Sequence, residues 1–144
     1  MNSKGGINVR LVRGIYNEPS EDAYVTREKM HESFARLMGI AFSESRGNFN
    51  LSIGTHHPDQ IIRALELNKR YPNRLVEFQF LLGAVKRIPE YLKELGHECT
   101  FYVPCGPRFI DYGIRRVKEN PGGIFGLFAS SFYERKNLQK IVGQ

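Results

Sequence analysis

The chain has 144 residues, of which 41% are hydrophobic and 25% are charged, as in ordinary soluble globular proteins. That length is enough for one domain with a hydrophobic core, and no apolar run approaches the ~20 residues of a membrane-spanning helix. The net charge of +6 favours anionic partners. The basic residues are scattered along the chain, which argues against a nucleic-acid-binding surface.

Cysteine usage indicates the cellular compartment. Cys99 and Cys105 do not form a CxxC pair, and two cysteines are too few for a disulfide scaffold. The first ten residues also lack the apolar core of a secretory signal. We therefore expect a cytoplasmic protein and leave peripheral association with a membrane open. The histidines show no zinc-ligand spacing, and we predict no metal site.

Strands and helices are predicted to alternate along the chain. Residues 7–12 alternate in polarity, which predicts a strand, and an apolar stripe of helical period begins after Thr26. A strand over residues 49–54 follows. The next helix has Pro58 in its first turn, where a missing N–H costs nothing, and it stops before Tyr71.

Two further strand–helix units complete the pattern. A strand over residues 75–81 precedes a helix that begins near Pro89 and ends at Gly96. A strand over residues 99–103 then precedes a helix over residues 111–120, and a last helix is predicted near the C-terminus. Strict alternation implies parallel strands joined by helical crossovers. Four such units make either a small open sheet or half of a (β/α)8 barrel, because a whole barrel needs ~250 residues.

Polar side chains within the predicted strands favour the barrel. Arg10, Glu77 and Thr100 each share one face of their predicted strand with other polar residues. An open sheet with helices on both faces would bury these residues, at a cost of several kcal/mol for an unpaired charge. The inner rows of a barrel can instead line a polar pocket at its mouth, beside the carboxyl ends of the strands. An internal ion pair between Arg10 and Glu77 is the alternative.

Five motifs, in order along the chain, resemble the proline dehydrogenase family, the flavin-dependent barrels that oxidise proline. They are RLVRGIY at residues 10–16, Thr55-His56, EFQFL at residues 77–81, YVPCG at residues 102–106 and YGIRRVKE at residues 112–119. One such motif would be a weak signal, whereas five at family-like spacing are specific. The first motif departs from the family at Arg13, where the family has a lysine, and at Ile15, where it has an alanine.

The resemblance implies a fold and an activity. Residues 1–144 would form one partial domain, made of the last four βα units of a (β/α)8 TIM-type barrel plus a C-terminal helix. The implied reaction is FAD-dependent oxidation of L-proline to 1-pyrroline-5-carboxylate in proline catabolism, with a quinone as electron acceptor. The alternative is a non-catalytic half-barrel that binds flavin or amino acid only after pairing, either with a second copy or with a chain that supplies the first half-barrel.

The resemblance also implies site residues. Arg10 would be the catalytic residue, placed to stabilise negative charge that develops on the flavin. The implied cofactor-binding residues are Arg13, Gly14, Ile15, Thr55 and His56. The implied substrate-binding residues are Leu81, Tyr102, Tyr112, Arg115, Arg116 and Glu119. Among these the two arginines would clamp the substrate carboxylate, which a guanidinium fork matches bidentately, and the glutamate would hold them.

Structural alternatives stand beside these roles. On pattern alone, Arg115-Arg116 would be a solvated helix face, and Leu81 and Tyr102 would be core residues. Thr55-His56 would cap the following helix with an exposed imidazole. Yet a strand end that leads into a helix N-terminus is also a place where phosphates bind.

Overall fold

A computed structural model describes residues 7–13, 19–43, 49–72, 76–82, 85, 87–103 and 105–107. Within this part of the chain, strands and helices alternate as predicted. The strands are β1 (Ile7–Val12), β2 (Phe49–Gly54), β3 (Val76–Leu81) and β4 (Glu98–Tyr102). The helices are α1 (Arg27–Ser43), α2 (Pro58–Arg70) and α3 (Arg87–Glu94). The helices predicted over residues 111–120 and near the C-terminus lie outside the described residues.

The strands form one parallel sheet in the order β1-β2-β3-β4. Each strand pairs with the one before it in the chain, and a helix lies in each connection between them. Because crossovers between parallel strands are right-handed, a sheet built in sequential order has its helices on one face. The predicted α/β class and parallel strands are confirmed, and the strand bounds agree with the prediction to within one residue.

An apolar layer joins the helices to one face of the sheet. Leu51 and Ile53 on β2, with Phe78 and Phe80 on β3, are fully buried. The helical side chains of this core are Phe34, Met38, Ala41 and Phe42 from α1, Ile61 and Ala64 from α2, and Ile88 and Leu92 from α3. Each large apolar side chain contributes about 1.5–3 kcal/mol when it is fully buried. This layer is therefore the main source of stability in the described part of the chain.

Local signals set the helix ends. Before α1, the hydroxyl of Thr26 accepts the backbone N–H of Lys29 at 3.3 Å, as an N-cap residue does. After α3, Gly96 adopts a φ of 85°, and the N–H groups of Gly96 and the next residue donate to carbonyls of the last helical turn. The helix α3 begins at Arg87, two residues before the predicted start, because Pro89 is tolerated within a first turn.

The face of the sheet opposite the helices is polar. It carries Asn8 and Arg10 from β1, Asn50 and Ser52 from β2, Glu77 and Gln79 from β3, and Glu98 and Thr100 from β4. Most of these side chains are exposed or half-buried. We refer to this surface as the polar face. Over the described residues, no helix is both long and apolar enough to cross a bilayer.

Candidate active site at the carboxyl ends of the strands

Glu77 lies within the polar face and accepts hydrogen bonds from three side chains. Its carboxylate accepts the hydroxyl of Ser52 at 3.2 Å, the side-chain amide of Gln79 at 3.3 Å, and the hydroxyl of Thr100. These donors belong to β2, β3 and β4. Hydrogen bonds to charged groups contribute about 1.5–3 kcal/mol each. One carboxylate therefore links three strands across the polar face.

Arg10 extends from β1 across the polar face towards β4. Its guanidinium carbon lies 5.0 Å from the ring centroid of Tyr102, a cation–π contact. The strand register pairs Arg10 with Ser52, Ser52 with Glu77, and Glu77 with Glu98. Tyr102 thus lies three strands away from Arg10 and four residues farther along. The Glu77 carboxylate accepts its hydrogen bonds from neutral donors and not from Arg10. The alternative of an Arg10–Glu77 ion pair is therefore wrong.

The contact between Arg10 and Tyr102 requires a twisted, curled sheet. In a flat sheet, three strand spacings of about 4.8 Å and four residues of about 3.3 Å rise would separate their Cα atoms by roughly 19 Å. Two such side chains in contact span only about 15 Å. The carboxyl end of β4 therefore leans over the polar face, in keeping with the twist of parallel strands. From this contact we infer that the polar face is concave at this edge.

His56 joins the end of β2 to the end of β3. Its Nε2 accepts the backbone N–H of Leu81 at 3.1 Å, which places the ring proton on Nδ1. Its ring stacks on Phe80, with 6.0 Å between the ring centroids. Burial, and then the positive charge of Arg13, lower the pKa of His56 below 6.5. His56 is therefore a fixed, neutral imidazole, and the exposed imidazole of the capping alternative is wrong.

Thr55 shapes the turn that leads into α2. Its hydroxyl is buried and accepts the backbone N–H of His57 at 3.1 Å. His57 immediately precedes Pro58, the first residue of α2. Thr55 thus shapes the turn before α2 but does not cap the helix, because the N-cap residue is His57 and it has no side-chain cap hydrogen bond; the capping alternative is wrong for Thr55. Because a hydroxyl both accepts and donates, its hydrogen can still be donated to a ligand.

Arg13 follows β1 and contacts His31 on α1, which in turn contacts the start of α2. Its guanidinium lies against Nε2 of His31 on α1. The ring of His31 meets the ring of His57 edge-on, with 4.3 Å between centroids. The side-chain amide of Gln60 donates to the backbone carbonyl of His31 at 3.5 Å. These contacts bring a guanidinium close to the N-terminus of α2, and both attract anions.

The structure brings the described members of the predicted site to one edge of the sheet. They are Arg10, Arg13, Thr55, His56, Leu81 and Tyr102. Tyr102 is 37% exposed, so the alternative that it belongs to the core is wrong. The remaining predicted site residues lie outside the described residues: Gly14, Ile15, Tyr112, Arg115, Arg116 and Glu119. The binding roles of all twelve stay predictions.

Sequence reasoning did not find His31. It lies on α1, beside the apolar stripe that predicted this helix, and its partner Arg13 is 18 positions earlier. No motif links two residues in that arrangement. Only a basic side chain directly after a strand, followed by a histidine early in the next helix, offered a signal.

Comparison with known proteins decides the family. The sequence model described as proline dehydrogenase matches residues 2–123, which contain all five motifs. The chain belongs to the proline dehydrogenase family. The resemblance predicted from the motifs is thereby confirmed.

Curated members of the proline dehydrogenase family match most of the chain. It is 30% identical over 116 residues to proline dehydrogenase 1 of Bacillus subtilis subsp. natto, covering 79% of this chain and 37% of that protein. It is 28% identical over 118 residues to proline dehydrogenase 2 of Bacillus subtilis strain 168, covering 81% and 38%. It is 27% identical over 116 residues to proline dehydrogenase of Deinococcus radiodurans, covering 79% and 36%.

The chain therefore spans little more than a third of the length of the curated relatives it matches. No solved structure matches it at a significant level.

Proposed function

We propose that this chain is part of a FAD-dependent proline dehydrogenase that oxidises L-proline to 1-pyrroline-5-carboxylate. Family membership and the names of the relatives support the reaction. The observation that carries the proposal is the convergence of Arg10 and Tyr102 over the concave polar face. His56 and Arg13 lie at the same edge of the sheet. In parallel α/β architectures, active sites and ligand-binding sites lie at this edge.

The proposed architecture is the second half of a (β/α)8 barrel. Sequential strand order and helices on one face are features of a barrel wall. In this arrangement β1 to β4 are the last four strands of the barrel. The polar face then lines the interior near the mouth, where the hydrogen bonds of Glu77 satisfy a charge that would be costly to bury unpaired.

The residues at the carboxyl edge fit a flavin with phosphate groups. Arg13 and the N-terminus of α2 suit an anion, and Thr55 and His56 can donate to phosphate or ribityl oxygens. By resemblance, Gly14 and Ile15 complete this set. FAD held there would accept the hydrogen and the two electrons that leave proline as its C–N single bond becomes a C=N bond.

The other site residues orient the substrate and stabilise charge. Arg10 holds a fixed positive charge over the concave face, where it stabilises negative charge that develops during the reaction. The proposed substrate-binding set is Leu81, Tyr102, Tyr112, Arg115, Arg116 and Glu119. Its apolar and aromatic members exclude water, and its arginine pair binds the proline carboxylate in a defined orientation.

Flavin reconstitution tests the proposed function. The purified chain is mixed with FAD, freed of unbound flavin, and examined by absorbance before and after anaerobic addition of L-proline. We expect retained flavin, loss of its visible band with proline, and recovery of the band with a quinone. The Arg10→Met variant should retain flavin. Its flavin should be reduced by proline about 100-fold more slowly, as expected when one electrostatic donor is removed. Absence of retained flavin, or equal rates in the variant, would contradict the proposal.

A second candidate is a non-catalytic half-barrel that binds flavin or amino acid only after pairing. In the described part of the chain, β1 and β4 each pair on one side only, and such edges favour association. Its partner would be a second copy or a chain with the first half-barrel. Sedimentation of the pure chain should then show a dimer, or a complex when the missing half is added. A stable monomer whose bound flavin loses its visible band on addition of proline would exclude this candidate.

A further inference from the structure

We propose that His31 is a positioning residue that holds the guanidinium of Arg13 in the orientation needed to bind the phosphates of the cofactor. The inference rests on the proposed function, since it takes FAD as the ligand. Arginine has donors only, so Nε2 of His31 must accept the hydrogen bond between them. The imidazole is therefore neutral in this contact and carries its proton on Nδ1.

His31 is itself held by the start of α2. The side-chain amide of Gln60 donates to its backbone carbonyl at 3.5 Å. Its ring packs edge-on against His57, the residue before α2, at 4.3 Å. These two contacts tie His31 to the helix whose N-terminus lies at the carboxyl edge. Through His31, Arg13 takes up a defined position relative to that N-terminus.

Such support matters more for an arginine than it would for a lysine. Lysine acts on a phosphate as a point charge with freely rotating donors. Arginine presents a planar fork of five N–H groups, which binds an anion well only when its plane is oriented. His31 contacts one part of that fork and so fixes the orientation of its plane. The guanidinium then reaches the phosphate without first losing the rotational freedom of a long side chain.

Two substitutions at residue 31 test the hydrogen-bond acceptor and the ring volume separately. His31→Gln keeps an acceptor close to the position of Nε2, whereas His31→Phe keeps the ring volume and removes the acceptor. Binding of FAD, which has phosphates, is compared with binding of riboflavin, which has none. We expect His31→Phe to weaken FAD binding about tenfold, as for the loss of one hydrogen bond to a charged group, and to leave riboflavin binding unchanged. His31→Gln should bind FAD like the parent chain.

A double-mutant cycle with Arg13→Gln identifies the route of the effect. If His31 acts through Arg13, His31→Phe should have no further effect on FAD binding in the Arg13→Gln background. Equal losses for FAD and riboflavin, a persistent loss in the Arg13→Gln background, or the same loss in His31→Gln would each overturn the proposal. Those results would indicate a purely structural role for the ring.

A measurement without flavin separates this inference from the proposed function. If the parent chain binds no flavin, the proposed function fails, and the imidazole nitrogen signals of His31 in NMR spectra still test the contact. We expect the signals of a ring protonated on Nδ1, with a shift of the Nε2 signal on Arg13→Gln. A ring protonated on Nε2, or imidazole signals that do not shift on this substitution, would show that His31 does not position Arg13.

Discussion

Arg10 and Tyr102 lie on the two outer strands of the sheet, and the guanidinium carbon of one lies 5.0 Å from the ring centroid of the other. This contact crosses the polar face above the carboxyl ends of β2 and β3. It links the first and last described strands directly, in addition to the hydrogen bonds between neighbouring strands. We therefore expect it to contribute to stability as well as to the candidate site.

A double-mutant cycle measures this link. Arg10→Met and Tyr102→Leu each remove one partner, and urea unfolding of the single and double variants should give a coupling energy of about 0.5–1 kcal/mol, typical of an exposed cation–π pair. Tyr102→Phe keeps the aromatic face and serves as the control. A coupling energy near zero would mean that Arg10 does not stay over the ring in solution.

Glu77 should be far more sensitive to loss of charge than its neighbour Glu98 on β4. Glu77→Gln turns hydrogen bonds to a charged carboxylate into weaker bonds to a neutral amide, so we expect a loss of about 1–3 kcal/mol in the free energy of unfolding. Glu98 is exposed and pairs with Glu77 in the strand register. Glu98→Gln makes the same charge change and should alter stability by less than about 0.5 kcal/mol. If urea unfolding shows that the two substitutions lower the free energy of unfolding equally, the loss is due to the change in net charge.

Two glycines should respond to alanine with opposite signs. A Cβ atom at Gly54 would lie 3.3 Å from Cγ2 of Val12 and 3.4 Å from the carbonyl oxygen of Leu11. Gly54→Ala should therefore crowd β1 and lower stability by about 1 kcal/mol or more. A Cβ atom at Gly39, within α1, meets nothing within 4 Å. Gly39→Ala should raise stability by about 0.5–1 kcal/mol, because alanine loses less backbone entropy in a helix. Thermal unfolding of both variants checks the signs.

Stability should fall as the pH drops below 6.5, partly because of His56. Its pKa is lowered in the folded state, so the unfolded chain binds more protons between the folded value and the usual 6.5. His56→Gln keeps an acceptor for the Leu81 N–H but does not titrate. Urea unfolding on either side of pH 6.5 should show a smaller acid-induced loss in this variant. Burial also lowers the pKa of His97, so part of the loss should remain. An unchanged loss would mean that His56 is not buried as described.

The two cysteines should differ in reactivity. Burial raises the pKa of Cys99 to about 11, whereas Cys105 is exposed. Because the thiolate is the nucleophile, iodoacetamide at mildly alkaline pH should modify Cys105 first in the folded chain. In urea both should react. Mass spectrometry of the peptides measures the order, and comparable rates in the folded chain would indicate that β4 opens readily.

The sequence by itself determined the order of the elements and the family. Alternation along Ile7–Val12 and the helical stripe of α1 are local patterns, so they predict a strand and a helix without reference to the rest of the chain. Capping and Schellman-type signals, such as Thr26 and Gly96, are local as well. The five motifs are short runs of residues, and they were enough to indicate the proline dehydrogenase family and to name the candidate site.

Only the tertiary structure decided which side chains meet. The sequence left open whether Arg10 lines a polar pocket or pairs with Glu77, whereas twist and register bring Arg10 to Tyr102 and leave Glu77 with three neutral donors. No sequence motif links His31 to Arg13, which the structure brings into contact. Partner choice depends on how far strands are offset, how strongly the sheet curls, and which helix face packs against which strand. Those quantities come from the packing of the whole core, and no local pattern of residues contains them.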